Sequence, residues 1–457
     1  MPDNSPLPKM RAFFDSGATR SYSFRREQLL KFKATIQEYE QEIYTALYSD
    51  LKKIPEECWF TENGLLLQEI NYALKNLKYW MKPEKVRTNF VNLPSKSYLL
   101  PSPRGVVLVI GPWNFPLQLL LIPVAGAIAA GNCVMIKPSE FAPATAGIIE
   151  KIIKKSFQGE FVSIVQGDGA QVIPSMMDNF RFDHVFYTGS IPVGKVIYQA
   201  AAKELIPVTL ELGGKDPCVV EDDADLKVAA NRIASGKFTN AGQMCVSPDY
   251  LLVHASAKDK LLGYLEQATR KMFGDDPAGS YGYNKIINEK RFDRLLSYLS
   301  AGKIIMGGQH DRSSLYIAPT ILDEVPLTAP VMQEEIFGPI LPIFTFTRQE
   351  EALDIIQRNP NPLSFYLFTG SKTKEKVWLE KVQFGNAGIN TTAMQFTNHH
   401  LPFGGIAQSG TGAYHGKYTF DVFSHMKAIM KSPTWFDPAL KYPPLKGKMK
   451  LMKFFIK

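Results

Sequence analysis

Between residues 20 and 53 apolar positions recur at helical spacing in a charged background. Leu29, Leu30, Phe32 and Ile36 are followed by Ile43, Leu47 and Leu51, which predicts one long amphipathic surface helix, whole or broken. Over 82–103 that period is lost, and short polar or β-prone pieces bounded by Pro83, Pro94, Pro101 and Pro103 predict an excursion from the core. Four short apolar runs come next, at 105–110, 133–136, 161–165 and 184–187, each leading through a turn into a helix-like segment. Strand alternating with helix predicts a parallel sheet. Ligands of such sheets bind beyond the carboxyl ends of the strands, which puts Asn114, Lys137 and Gly189 on the ligand side. The most apolar stretch, 117–130, contains Gln118 and Pro123 and is shorter than the ~20 residues that span a bilayer, so it reads as a buried helix. A second alternation starts after Glu211-Leu212-Gly213-Gly214: an apolar run at 217–220, an acidic turn at 221–225 and a helical stretch through Ala241. A domain boundary is placed near Gly213. From Leu401 the chain is rich in glycine, and it ends in a basic, apolar tail at 446–457.

Composition narrows the class. At 457 residues, 45% hydrophobic and 21% charged, the chain is long enough for two or three domains with real cores. The net charge of +8 comes from dispersed lysines and arginines, which argues against a nucleic-acid partner. The start, MPDNSPLPKM, has neither the basic region nor the apolar run of a secretory signal, so the expected compartment is the cytosol. Four cysteines without a CxxC pair make neither a disulfide framework nor a zinc clamp, and the seven histidines show no metal-ligand spacing, so no metal site is expected. No GxSxG elbow or GxxxxGK[ST] loop points to a hydrolase or NTPase. The tail at 446–457 suits either a short helix on an anionic membrane surface, as peripheral contact at most, or a helix packed on the protein.

Several motifs can carry chemistry, each open to a plainer reading. Thr188-Gly189-Ser190-Ile191-Pro192-Val193-Gly194 puts small residues and free N–H groups at a helix start, which suits a pyrophosphate, but the glycines are five apart and an ordinary strand-to-helix turn explains them as well. Cys245, in Gly242-Gln243-Met244-Cys245, is a nucleophile only if a partner handles its proton. Glu211, at a strand end beside two glycines, is the natural candidate, although a lone cysteine is more often a small buried hydrophobe. In Pro112-Trp113-Asn114-Phe115-Pro116 two prolines fix an amide that can stabilise an oxyanion or simply hydrogen-bond its own loop. Lys137 and Glu140 can grip ribose hydroxyls or form a surface ion pair. Glu335 and Phe337, in Glu334-Glu335-Ile336-Phe337-Gly338-Pro339, can clamp a ribose or belong to an exposed loop.

In this order PWNFP, KPSE, YTGSIPVGK, ELGGKDP, NAGQMC, EEIFGP and LPFGG resemble the aldehyde dehydrogenase superfamily over most of the chain, and GQMCVSPDY with SGTGAYHGKYTFDVFSH most resembles its class 3 branch, known for fatty and aromatic aldehydes. The resemblance implies an α/β fold: a Rossmann-like cofactor domain (1–81 and 104–212), an α/β catalytic domain (213–391) and a small β bridging arm with the tail (82–103 and 392–457) that pairs subunits into a homodimer. It implies that Cys245 attacks a medium- or long-chain aliphatic or an aromatic aldehyde, that Asn114 and the Cys245 N–H hold the oxyanion, and that Glu211 activates Cys245 or the water that hydrolyses the thioester. Lys137 and Glu140 would hold the adenosine ribose, Gly189 and Ser190 the pyrophosphate, and Glu335 and Phe337 the nicotinamide ribose, with Trp113, Gly194 and Leu212 also at the cofactor. Glu140 favours NAD, since a carboxylate repels a ribose phosphate, yet class 3 members often accept NADP as well. Two rivals stand beside this reading. A coenzyme A-acylating relative would generally lack the glutamate at the Glu211 position, and a non-catalytic scaffold on the same fold would have no need of the intact constellation.

Overall fold

The computed structural model describes residues 5–455; residues 1–4, and Ile456 and Lys457 of the basic tail, lie outside the described residues. The amphipathic region at 20–53 forms two helices, Tyr22–Glu38 and Glu40–Leu51, broken at Tyr39. The Ser21 hydroxyl caps the first by accepting from the Phe24 N–H, 3.1 Å away. The expected surface helix is in fact docked: Leu29, Phe32, Ile36, Ile43, Leu47 and Leu51 have no exposure, because the stripe lies against the helices Gly64–Trp80, Gln118–Ala130 and Pro143–Ser156.

The four apolar runs become the strands Val106–Ile110, Cys133–Lys137, Val162–Ile164 and His184–Thr188. With Val208–Glu211 they form a parallel sheet, extended at its edge by the antiparallel pair Gly410–Thr411, in the order Gly410–Thr411, Val208–Glu211, His184–Thr188, Val106–Ile110, Cys133–Lys137, Val162–Ile164. Helices cover both faces, which is why these strands read as continuous apolar runs rather than as alternation. From Val106–Ile110 the chain proceeds outward through Cys133–Lys137 to Val162–Ile164, then returns to add His184–Thr188 on the other side. The order therefore reverses at the seam between Val106–Ile110 and His184–Thr188, where a doubly wound sheet opens a crevice.

A second sheet has the order Lys303–Met306, Thr320–Asp323, Ile340–Phe346, Tyr250–His254, Pro217–Val220, Ser364–Phe368, Asn386–Ile389, parallel except at its Lys303–Met306 edge. A third, antiparallel sheet joins Glu84–Val86, Lys96–Pro103 and Ser424–Lys431. The fold is thus α/β with two largely parallel sheets, as expected. The helical stretch expected to run through Ala241 stops at Phe238, because Asn240, Ala241 and Gly242 all take positive φ (53°, 49° and 71°). In the tail, Met449–Phe455 is helical and its Met449, Leu451 and Phe454 side chains are largely exposed. No helix among the described residues is long and apolar enough to cross a membrane.

One buried group sets an acid limit on this core. His184, at the first position of its strand, is sealed in, with Nε2 3.0 Å from the Thr209 hydroxyl and its ring edge-on to Phe423. Burial, helped by the positive Arg104, pushes its pKa down to about 3. Below the ordinary histidine pKa of ~6.5 the unfolded chain binds a proton that the native state refuses. Stability therefore falls with acidification between those two values, by up to about 1.4 kcal/mol per pH unit from this group. His184→Gln is expected to lose less Tm than the parent protein between neutral pH and pH ~5; equal losses in the two thermal melts would reject this account.

Candidate active site

Each chemistry-bearing side chain sits just past a strand end or in a loop that the packing distorts. Beyond Val106–Ile110, the Pro112–Pro116 turn buries Asn114 at 2% exposure. Its backbone oxygen accepts from Lys53 Nζ at 2.9 Å and Asn240 Nδ2 at 3.0 Å, while its own Nδ2 donates to the Gln243 carbonyl at 3.1 Å. Lys53 is itself fully buried in an ion pair with Glu62, 2.7 Å away, and Glu62 accepts the N–H groups of Leu117 and Gln118 at 3.2 and 2.9 Å. Glu62 faces inward from a π-turn, Trp59–Asn63, a wide turn frequent at functional sites. The Asn114 loop is thereby fixed from beneath.

The Cys245 loop is held by strain and cross-ties. Three consecutive residues in the left-handed region carry it away from the preceding helix, a cost that persists only where the surroundings enforce it. At Gly242 only glycine fits, since a Cβ would lie 2.2 Å from the Gly338 carbonyl oxygen. Gln243 ties the loop down: Nε2 donates to the Asn240 and Lys285 carbonyls, and Oε1 accepts from Ile287 N, all at 3.0 Å. Among the described residues, the Cys245 N–H donates to no other residue, so it remains open to an incoming oxygen.

Cys245 is half-buried where two cavities meet. The first, of about 510 Å³, is lined chiefly by apolar groups, among them Phe60, Leu65, Phe115, Met244, Phe396 and Phe403. The second, of about 470 Å³, holds Trp113, Asn114, Gly189, Ser190, Glu211, Leu212, Glu335 and Phe337. Nine of the twelve residues expected from the sequence thus line one cavity. The remaining three lie behind it. Lys137 and Glu140 pair with each other at the end of the adjacent strand, where Glu140 also accepts from Gly169 N at 3.1 Å. Gly194 lies in the first turn of the helix Ile191–Lys203, where a Cβ would come within 2.6 Å of Leu212 Cδ2; its small size lets the helix close up on Leu212.

The electrostatics are those of a site at rest. Glu211 is 3% exposed, neither carboxylate oxygen has a hydrogen-bond partner among the described residues, and burial holds its pKa well above the usual carboxylate range. Burial, followed by the negative Glu335, Asp216 and Glu211, pushes the Cys245 thiol up as well. Glu335 is raised to about 8 by burial and by Asp249. Desolvation of this kind, in a cleft and on several groups at once, marks chemistry more often than scaffolding.

The segment 391–400, which by the resemblance should border the substrate tunnel, does line the apolar cavity, through Thr392, Met394 and Phe396 among others. Sequence reading missed other parts of the wall: Phe60 and Leu65 come from the amino-terminal helices, Phe403 from just beyond that segment, and Arg291 and Arg294 from a charged helix, Glu289–Tyr298, with no motif of its own. Nothing in the sequence singles these out.

The aldehyde dehydrogenase family model matches residues 7–429. The chain is 45% identical over 449 residues to 4,4'-diaponeurosporen-aldehyde dehydrogenase of Staphylococcus aureus, covering 98% of this chain and 97% of that one. It is 44% identical over 456 residues to aldehyde dehydrogenase family 3 member H1 of Arabidopsis thaliana, covering 98% and 94%. Among solved structures, the substrate-bound state of Staphylococcus aureus AldH matches with a TM-score of 0.96 at 44% identity, covering 99% of both chains. An indole-3-acetaldehyde dehydrogenase in complex with NAD+ matches with a TM-score of 0.84 at 27% identity, covering 93% and 88%.

Proposed function

Because the chain belongs to the aldehyde dehydrogenase family and is an oxidoreductase acting on aldehydes, we propose that it oxidises a medium- or long-chain aliphatic or an aromatic aldehyde to its acid with NAD, and less readily with NADP, through a thioester on Cys245. The observation that carries this reading is the position of Cys245 at the junction of an apolar cavity with one that suits a dinucleotide. The second cavity suits the cofactor by its own residues: the Ser190 hydroxyl at the helix start makes no capping bond, and Gly189, Ser190 and the first helical residues Ile191 and Pro192 line the cavity.

Cys245 Sγ, once deprotonated, adds to the carbonyl carbon of an aldehyde lying in the apolar cavity. The carbonyl oxygen gains charge and is met by Asn114 Nδ2, released from the Gln243 carbonyl, and by the Cys245 N–H. Bound NAD or NADP supplies the hydride acceptor. Glu335 and Phe337 orient its nicotinamide ribose, with Trp113 packed edge-on to Phe337 at 5.2 Å. The aldehyde carbon remains bonded to Cys245 as a thioester; Glu211 takes a proton from water, the hydroxide adds to that carbon, and the C–S bond breaks to release the acid and the thiolate.

The apolar lining of the first cavity, about 510 Å³, supports the substrate class, and a carboxylate at Glu140 beside the adenosine ribose supports NAD over NADP. We further assign the sheet built on Val106–Ile110 to the cofactor, the sheet after Gly213 to the nucleophile, and the antiparallel sheet at 84–103 and 424–431 to subunit pairing in a homodimer. The four cysteines are free, as suits the cytosol, and the exposed basic tail gives at most peripheral membrane contact. A panel of aldehydes of increasing chain length, assayed by NADH and NADPH formation, tests the reading. kcat/KM is expected to rise with apolar length and to be higher with NAD. Turnover of short polar aldehydes alone would reject the substrate class, and acyl-CoA outpacing acid when coenzyme A is present would reject hydrolysis.

A further inference from the structure

Two arginines of the helix Glu289–Tyr298 reach the cavity that holds Gly189, Ser190 and Glu335, and only one of them is committed to the protein. Arg294 donates to the Glu335 and Ile336 carbonyls at 3.1 and 2.6 Å and to the Tyr298 hydroxyl at 3.1 Å, and it lies 3.4 Å from the Glu334 carboxylate, so it is spent on fixing the 334–336 loop. Arg291 is different. Its guanidinium makes no hydrogen bond or ion pair with any described residue. It lies instead across two aromatic faces, 4.6 Å from the Trp113 ring centre and 5.9 Å from that of Phe141. A half-buried guanidinium with none of its five N–H donors engaged by a described residue leaves its whole fork available to an anion.

Its position selects the anion. Trp113 stands beside Phe337, at the end where Glu335 lies, and Phe141 follows Glu140, at the end where Lys137 and Glu140 pair. Arg291 thus spans the gap between the two ribose-binding ends, on the same cavity as the Ser190 helix start. We propose that the Arg291 guanidinium binds the diphosphate bridge of the dinucleotide, opposite the amino-terminal end of the helix Ile191–Lys203, with Trp113 and Phe141 holding its plane. This rests on the dinucleotide occupying that cavity, as proposed above. The helix end then supplies fixed N–H donors on one side of the diphosphate and the guanidinium a movable fork on the other. The two rings retain the fork near its target at low cost in side-chain freedom.

The test is calorimetric titration of the full-length protein with NADH, NADPH, ADP and adenosine, comparing the parent with Arg291→Met and Arg291→Lys and using thermal melts to confirm folding. Arg291→Met is expected to weaken NADH, NADPH and ADP alike by about 10- to 100-fold, the worth of a lost charge-assisted bond, and to leave adenosine unchanged. Arg291→Lys is expected to recover part of that loss, keeping the charge without the fork. Unchanged affinities in the methionine variant overturn the proposal. So does a loss confined to NADPH, which would place the guanidinium at a ribose phosphate, or an equal loss for adenosine, which would make its role one of packing. Failure of the parent protein to bind NADH would remove the underlying cofactor reading itself, and with it this assignment.

Discussion

Cys245→Ala is expected to bind NADH with the affinity of the parent protein and to lose aldehyde oxidation by roughly 10⁴-fold or more, as when a nucleophile is deleted from a preformed site. The separation follows from the geometry. Cys245 lines both the apolar cavity and the one proposed for the cofactor, and removing its sulfur leaves Gly189, Ser190, Glu335 and Phe337 in place. Alkylation of the parent protein should discriminate likewise. Cys58, Cys133 and Cys218 are sealed in the core, with burial raising Cys58 and Cys133 to about 12, whereas Cys245 faces two cavities. The Cys245 thiol is itself raised, so its labelling should be slow at neutral pH and faster as pH rises, yet confined to that one position. Residual turnover in the alanine variant within tenfold of the parent, or equal labelling of all four thiols, would return the site to a scaffold.

The sequence showed which residues gather at one cavity better than it showed how they are held. The strand ends were legible because a parallel sheet buried on both faces must be written in continuous apolar runs, and its turns must then present Asn114, Gly189 and Glu211 at one edge. Nothing in the local pattern around Lys53 and Glu62 distinguishes them from the charged background of an amphipathic helix, yet folding buries both completely and sets them beneath Asn114. The left-handed run Asn240-Ala241-Gly242 was hidden for a related reason. Only one of its three residues is glycine, and the strain at the other two is imposed by tertiary ties through Gln243. Arg291 was illegible because its significance is the absence of a partner, which only the folded environment defines.

The burial of Glu211 sets the direction in which its titration moves both catalysis and stability. Both of its oxygens are buried without partners, so the carboxyl is neutral at a pH where an exposed glutamate, with a pKa of ~4.3, has ionised. A base that must first lose a proton held this firmly works better as pH rises. Steady-state oxidation should therefore climb as pH rises, with an apparent pKa well above the carboxylate range. Glu211→Gln keeps the shape but cannot accept a proton from water. Its kcat is expected to fall by about 10²- to 10⁴-fold and to lose that rise, while the first turnover still yields a burst of NADH and a thioester on Cys245 detectable by mass spectrometry. Loss of the burst as well would assign Glu211 to activating the thiol instead, and an unchanged pH profile would remove it from proton transfer altogether. The same burial predicts the opposite effect on stability. As pH rises above ~4.3 the native state keeps a proton that the unfolded chain releases, so this group's contribution to stability declines until the native carboxyl finally ionises. The glutamine variant, free of that titration, should melt higher than the parent at neutral and alkaline pH, so that the loss of catalysis and the gain in Tm come from one buried, unpartnered carboxyl.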